Sequence, residues 1–337
     1  MLTRRPADGR QGEYAMQDLV TIAAVNFAPV YGEAKATVEK MAANIEEAAA
    51  QGADLVVFPE GALLGCHSCT ACRVLGGPCD ECVASAETVP GPASDAIARL
   101  ARDHDLYVVF GLPERDAREP RRLYNAAAIV GPDGALGSYR KVHLGEPPWV
   151  TEGITYTPGT SLPLFPTRFG PIGLQICYDF WFNPELTRIL ALKGARLIVV
   201  PVGSFDAPGR PDGMRATALA RAQENLLHVV VSNSVGGPGA TGQGYSGRAL
   251  TEAPRPSCYA GHSMIAGPAF PRFGVVLAEA GATEEMIVST VNLKQQARFE
   301  AVFDYRRWRR GRLASASKLV ADEFAALAAE GTKPAGR

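Results

Sequence analysis

Three residues with complementary chemistry stand at the ends of apolar runs: Glu60 after "LVVFP", Lys141 after "LGSYR", and Cys177 after "IGLQI". Each has a plain explanation taken singly. Glu60 reads as a solvated loop carboxylate, Lys141 as a surface residue ending a hairpin, and Cys177 as a small core thiol. Together they make a reactive set. A thiol becomes a nucleophile only as thiolate, and a carboxylate in a water-poor pocket can take its proton. Attack on a carbonyl develops an oxyanion, which an ammonium beside the sulfur stabilises. No histidine closes a comparable run, which argues against a Cys–His protease pair.

A second cluster is denser. The stretch "CHSCTACRVLGGPCDEC" (66–82) holds five of the seven cysteines. Cys66-x2-Cys69 and Cys79-x2-Cys82 have the paired spacing of thiolate metal sites, with Cys72 and His67 as spare donors. In a reducing compartment this pattern suits tetrahedral zinc better than disulfides or an iron–sulfur cluster. A flexible loop of reduced thiols is the alternative. Because the stretch follows Glu60, it is expected at the rim of whatever site Glu60 serves.

Positioning these groups requires a regular alternation of elements. Segments 18–29, 52–60, 106–114, 195–201 and 227–233 are short, β-branched and apolar, and read as buried strands. Between them, 34–50, 92–104, 184–193 and 213–226 read as helices. In the first of these, Val38, Met41, Ile45 and Ala49 recur at spacings of three and four. "GPDG" within 123–141 marks a hairpin, 236–256 reads as a long loop, and 262–267, 273–278 and 285–291 complete the strands before a helix at 292–303. A mixed sheet architecture with helices outside follows. With no internal repeat or linker before about residue 310, one domain over 18–309 is expected, with 1–17 a disordered extension and 310–337 a tail.

The bulk numbers exclude several classes. Lysine and arginine total 34 against 35 aspartates and glutamates, a net charge of −1 that gives no electrostatic case for nucleic acid or anionic membrane. The basic run at 304–312 is read as a solvated helix end. No apolar stretch approaches membrane-spanning length, and the polar N-terminus is unlike a secretion signal. A cytoplasmic protein with reduced cysteines is expected.

"VVFPE", "YRKVHL" and "GLQICYD" with the following "PEL…ALKGARLIVVP" resemble, in this order, the glutamate, lysine and cysteine motifs of the nitrilase superfamily, the carbon–nitrogen hydrolases. "RAQEN" (221–225) and "YAGHSMI" (259–265) are weaker matches, and the resemblance runs from about residue 18 to 300. It implies a four-layer α-β-β-α sandwich, paired into a homodimer or higher homo-oligomer across the helix after the cysteine motif. It implies roles as well: Cys177 as nucleophile, Glu60 as general base, and Lys141 with the Tyr178 backbone N–H as oxyanion holders. A second glutamate in many members stands seven residues before the glycine of a "PG" turn. "TEGITYTPG" puts Glu152 there, with Glu146 the nearby decoy. No catalytic cofactor is implied, and the cysteine-rich stretch is not a usual feature of the family.

Two departures bear on specificity. Pro184 and Glu185 sit seven and eight residues after Cys177, one more than is common, so Asn183 reads as an insertion beside the pocket. "CYD" in place of "CWE" resembles amidase and carbamoylase branches more than true nitrilases. The expected activity is hydrolysis of a small aliphatic amide or N-carbamoyl compound with release of ammonia. Nitrile hydrolysis, acyl transfer to an amine and a catalytically silent metal-binding scaffold are the alternatives. Trp181, Phe182, Tyr259 and His262 are candidates for the pocket wall, or for packing beneath it. Arg215, Arg248 and Arg255 are candidates for a substrate carboxylate.

Overall fold

A computed structural model describes residues 17–65, 69–146, 150–236, 259–302 and 305–331. The first half contains β1 (Leu19–Asn26), α1 (Ala34–Ala50), β2 (Leu55–Val57), α2 (Thr70–Leu75), α3 (Asp80–Ser85) and α4 (Pro92–Asp103). It continues through β3 (Tyr107–Arg115), β4 (Leu123–Gly131), β5 (Gly134–Arg140) and the single turn α5 (Glu152–Thr155). The second half opens with β6 (Leu164–Phe165), β7 (Ile172–Leu174), the short α6 (Tyr178–Trp181) and α7 (Pro184–Lys193). Then come β8 (Leu197–Val202), α8 (Arg210–Asn225), β9 (His228–Asn233), β10 (Val235–Gly236) and β11 (Tyr259–Ala260). The chain closes with β12 (Met264–Ala269), β13 (Arg272–Glu279), β14 (Glu285–Asn292), α9 (Gln295–Val302) and α10 (Tyr305–Gly331).

Two six-stranded mixed sheets result, ordered β14-β1-β2-β3-β4-β5 and β13-β12-β9-β8-β7-β6. The centre of each is parallel: β1, β2 and β3 in one, and β7, β8 and β9 in the other. Strands buried on both faces need apolar side chains in both directions, and β1 shows the division. Val20, Ile22 and Ala24 pack inward in one cluster with Leu197, Val199 and Val230 of the facing sheet, where Ser232 Oγ donates across to the Val25 carbonyl at 2.8 Å. Ala23 and Val25 pack outward with Met41 and Ile45 of α1 and Ile97 of α4. On the far side, Leu190 of α7 and Met214, Ala218 and Ala222 of α8 cover the second sheet. These are the four layers of an α-β-β-α sandwich.

The element boundaries depart from the expected ones at the ends. Gln17, assigned to the extension, already donates its backbone N–H to the Arg168 carbonyl at 3.1 Å. A domain border at 309 falls inside α10, which runs unbroken from Tyr305 to Gly331. The expected long loop at 236–256 lies almost wholly outside the described residues, as does the extension before Gln17. No helix among the described residues is long and apolar enough to cross a membrane.

Candidate active site

The parallel strands of both sheets end at the same edge of the sandwich, and the site is built where they stop. After β2 the chain runs Phe58-Pro59 into Glu60, braced because Phe58 donates its N–H to the Val109 carbonyl at 2.8 Å. Gly111 in β3 lets this segment lie flat against the strand. A Cβ there would stand 2.3 Å from Gly61 N and 2.6 Å from Pro59 O, both backbone atoms. Lys141 directly follows β5. Gly159 of the "PG" turn donates its N–H to the Lys141 carbonyl at 2.8 Å, and a Cβ on Gly159 would collide with the Arg140 carbonyl oxygen.

Cys177 lies three residues beyond β7, which forms ladder bonds only from Ile172 to Leu174. Its backbone is at φ 44° and ψ −102°, a left-handed region that costs a non-glycine residue on the order of 1–3 kcal/mol. The surrounding bonds enforce it. Cys177 donates its N–H to the Pro201 carbonyl at 3.1 Å, and its own carbonyl accepts from Phe180 and Trp181 N–H at 2.9 and 3.0 Å. The sharp turn leaves the N–H of Tyr178 at the start of α6 without a protein acceptor among the described residues, as the first turn of a helix requires.

One network joins the charged side chains. Lys141 Nζ donates to Glu60 Oε1 at 2.7 Å and to Glu152 Oε1 and Oε2 at 2.9 and 2.8 Å. Lys141 and Glu60 are only 2% and 3% exposed, so this is a buried ion pair whose separation would strand a charge. Glu60 Oε2 accepts from Gly203 N–H at 2.8 Å, and Glu152 Oε2 from Gly145 N–H at 2.6 Å. Asn125 Nδ2 donates to Oε1 of both glutamates at 2.8 Å. Glu146 takes no part in this network and rests against Gly153 instead.

Burial opposes the Lys141 charge, but Glu152, Glu60 and Cys177 outweigh it and hold the ammonium protonated far above the ordinary lysine value. Burial also pushes the Cys177 thiol well up, and the Glu60 carboxylate adds to this more than Lys141 relieves it. Glu152 is raised by burial, opposed by Lys141 and assisted by Glu60. At neutral pH the sulfur therefore rests as a thiol, and any attack by it would first need a nearby base to take its proton.

Glu60, Lys141, Glu152 and Cys177 line one pocket of about 50 Å³, room for a few waters. Trp181 and Arg210 stand on its wall. A model of the carbon–nitrogen hydrolase family matches residues 21–300. The chain belongs to that family, the nitrilase superfamily.

Its relatives are hydrolases of amides and nitriles. Omega-amidase NIT2 of Homo sapiens is 32% identical over 260 residues, which cover 75% of this chain and 82% of that protein. A nitrilase of Pyrococcus abyssi is 34% identical over 239 residues, 70% of this chain and 82% of its own length. The crystal structure of a carbon–nitrogen hydrolase from Helicobacter pylori G27 shares the fold, with a TM-score of 0.70 at 24% identity over 87% of this chain and 96% of that one. The protein is thus a carbon–nitrogen hydrolase.

Other candidates for the hydrolase's pocket wall are redistributed. Phe182 is 64% exposed, its ring edge-on to Tyr178 at 5.2 Å, and does not reach the pocket. His262 sits in a turn whose N–H bonds to the Gly281 carbonyl at 2.8 Å, away from the lining. Tyr259 stacks at 5.3 Å on Phe205, which is the residue that lines the pocket. Arg215 is turned to Glu279 at 3.3 Å, and Arg248 and Arg255 lie outside the described residues. The arginine on the wall is Arg210, which nothing in its local sequence distinguishes. Asn125 had a signal: it is the one side chain with strong hydrogen-bonding capacity inside the otherwise apolar stretch "NAAAIV" of β4.

The cysteine stretch is also regrouped. Cys69, Cys72, Cys79 and Cys82 converge, with their sulfurs all within 4.8 Å of one another. Cys72, expected as a spare donor, is buried at the centre, because the turn of α2 carries it back toward Cys79. Cys66 and His67 lie outside the described residues.

Proposed function

We propose that the hydrolase is a thiol-dependent amidase acting on a small aliphatic amide or an N-carbamoyl compound. The observation that carries this reading is the placement of Cys177 on the same small pocket as the Glu60–Lys141–Glu152 network. Glu60 takes the thiol proton as Cys177 Sγ attacks the carbonyl carbon. The oxyanion is met by the Lys141 ammonium and the Tyr178 N–H. Collapse of the tetrahedral intermediate breaks the C–N bond, and Glu60 returns the proton to the departing ammonia. Glu60 then deprotonates a water that cleaves the thioester, freeing the acid and the thiol. Glu152 fixes Lys141 and gives the substrate amide an acceptor.

The omega-amidase relative supports a terminal amide as the bond cleaved, and Arg210 on the wall would pair with an acidic group elsewhere on the substrate. The nitrilase relative keeps a nitrile as the second reading, since the same thiol would attack its carbon. A silent scaffold is disfavoured by the intact network. A homodimer or larger assembly belongs to this reading, supported by exposed Phe182 and Ile189 near the nucleophile's turn and by Leu313, Val320, Phe324 and Leu327 along α10. So does a cytoplasmic setting, supported by the free thiols.

The test is ammonia release from short amides with and without a distal carboxylate, N-carbamoyl amines and acids, and the matching nitriles. Cys177→Ala runs beside the wild type. Release from an amide or carbamoyl compound that disappears in the variant supports the reading. Release from nitriles alone would replace it with the second, and silence from folded, reduced protein would overturn both.

A further inference from the structure

We infer that Cys69, Cys72, Cys79 and Cys82 form a structural zinc site that fastens the segment between Glu60 and the turn carrying Glu152. Neither the proposed catalysis nor the family motifs use these residues. Four thiols meeting in one place need an explanation, since each sulfur otherwise gains only weak thiol contacts.

The geometry fits a single tetrahedral ion. With bonds of about 2.3 Å, four sulfurs around zinc sit about 3.8 Å apart. Here Cys69 Sγ and Cys79 Sγ are 3.7 Å apart, and Cys72 Sγ and Cys82 Sγ 3.5 Å, with every pair inside 4.8 Å. An iron–sulfur cluster, with several metal atoms inside the ligand set, would hold its four thiolates farther apart.

The backbone is arranged for thiolate ligands. The chain forms two matching knuckles, Cys69-x2-Cys72 and Cys79-x2-Cys82, each with its first cysteine just before a short helix. Cys72 N–H points to Cys69 Sγ at 3.4 Å and Cys82 N–H to Cys79 Sγ at 3.5 Å. Cys79 N–H points to Cys72 Sγ at 3.2 Å, linking one knuckle to the other. Peptide donors aimed at metal-bound sulfur orient the ligand and offset its negative charge. Cys72 and Cys79 are buried while Cys69 and Cys82 are partly open, which leaves a path for the ion.

The location gives the site its purpose. The knuckles begin nine residues after Glu60. Helix α2, between Cys69 and Gly76, packs against α5, whose first residue is Glu152. Arg121 holds the second knuckle by donating to Asp80 Oδ1 at 2.7 Å and to the Pro78 carbonyl at 2.8 Å. Arg115 adds a bond to the Val83 carbonyl at 3.3 Å. Helices of six residues do not hold together alone, so an ion at their junction would supply the missing rigidity.

The test is metal analysis of the full-length protein, purified anaerobically without chelator or a metal-affinity step. About one zinc per chain is expected, lost in Cys72→Ser/Cys82→Ser. Cobalt added to chelator-stripped wild type should give the intense near-ultraviolet thiolate band and visible absorption of a tetrahedral four-sulfur site, and should restore a Tm lowered by stripping. This second measurement does not depend on the variant folding, and neither needs a substrate, so the result stands apart from the amidase reading. Stripped, reduced protein that binds neither zinc nor cobalt would overturn the inference. So would stoichiometric iron in place of zinc, or native protein with these cysteines paired as disulfides.

Discussion

The hydroxyl of Tyr139 donates to Asp179 Oδ2 at 2.6 Å, and the bond ties the strand that ends at Lys141 to the turn that begins at Cys177. Asp179 is fully buried and accepts further from Val142 and His143 N–H at 3.2 and 2.8 Å. The turn at Cys177 and the loop after Lys141 are therefore held by one carboxyl group that touches neither of those side chains. Tyr139→Phe removes one donor from a buried carboxyl group and leaves the ring in place. Stability to urea should fall by about 1–3 kcal/mol. The rate should fall through kcat with little change in KM, as misplacing the sulfur relative to the ammonium would do. Unchanged kcat with the stability loss would reduce the bond to a purely structural one.

Gly111 is the counterpart on the Glu60 side. Its Cβ would meet backbone atoms of Pro59, Glu60 and Gly61 at 2.3–2.8 Å, and backbone cannot swing aside. Gly111→Ala should displace the Glu60 segment, lowering stability by about 1–3 kcal/mol as overpacking does. The kcat of the hydrolase should drop with it. A crystal structure of the variant with Glu60 still bonded to Lys141 and Gly203 would refute this account.

Much of this architecture was legible in the sequence, because a sandwich with both faces of each sheet covered leaves strong apolar runs. Helix α1 falls at 34–50, as the spacing of its apolar residues predicts, and α7 at the expected 184–193. Glu60, Lys141 and Cys177 were visible because each interrupts or ends such a run. Phe182 and His262 show where that reasoning stops: nearness in sequence to a reactive turn does not say which way a side chain points. Phe182 faces outward just past the end of α6, and His262 is claimed by the β13–β14 connection. Arg210 was invisible for the same reason, since a surface helix start gives no sign of what faces it across the sandwich edge. That Cys72 joins Cys69, Cys79 and Cys82 depends on a helical turn in a stretch with no apolar period to reveal it.

Arg210 carries a prediction about specificity. If it meets the distal carboxylate of the substrate, Arg210→Met should raise KM for carboxylate-bearing amides by about 10–100-fold, the worth of a charge-assisted hydrogen bond. Neutral amides of equal length should be hydrolysed at nearly the wild-type kcat/KM. An equal loss for both series would mean that the side chain shapes the pocket without reading charge.

His228 in β9 ties stability to pH. Its ring is buried against Gly267, where a Cβ would stand 2.1 Å from Cδ2, and burial alone lowers its pKa to about 4. In the unfolded chain the imidazole returns to about 6.5, so between these values the unfolded state binds more protons than the folded one. Stability is then full above pH 6.5 and declines as pH falls toward 4, by about 3 kcal/mol in all if the ring stays neutral while folded. Acidic groups titrate across the same range, so the wild-type curve alone does not isolate the effect. His228→Gln removes only this proton site. Urea unfolding of both proteins from pH 7 to pH 4.5 should show the wild type losing stability faster, with the gap opening below pH 6.5. Parallel curves would mean that the buried ring accepts its proton without unfolding the sheet.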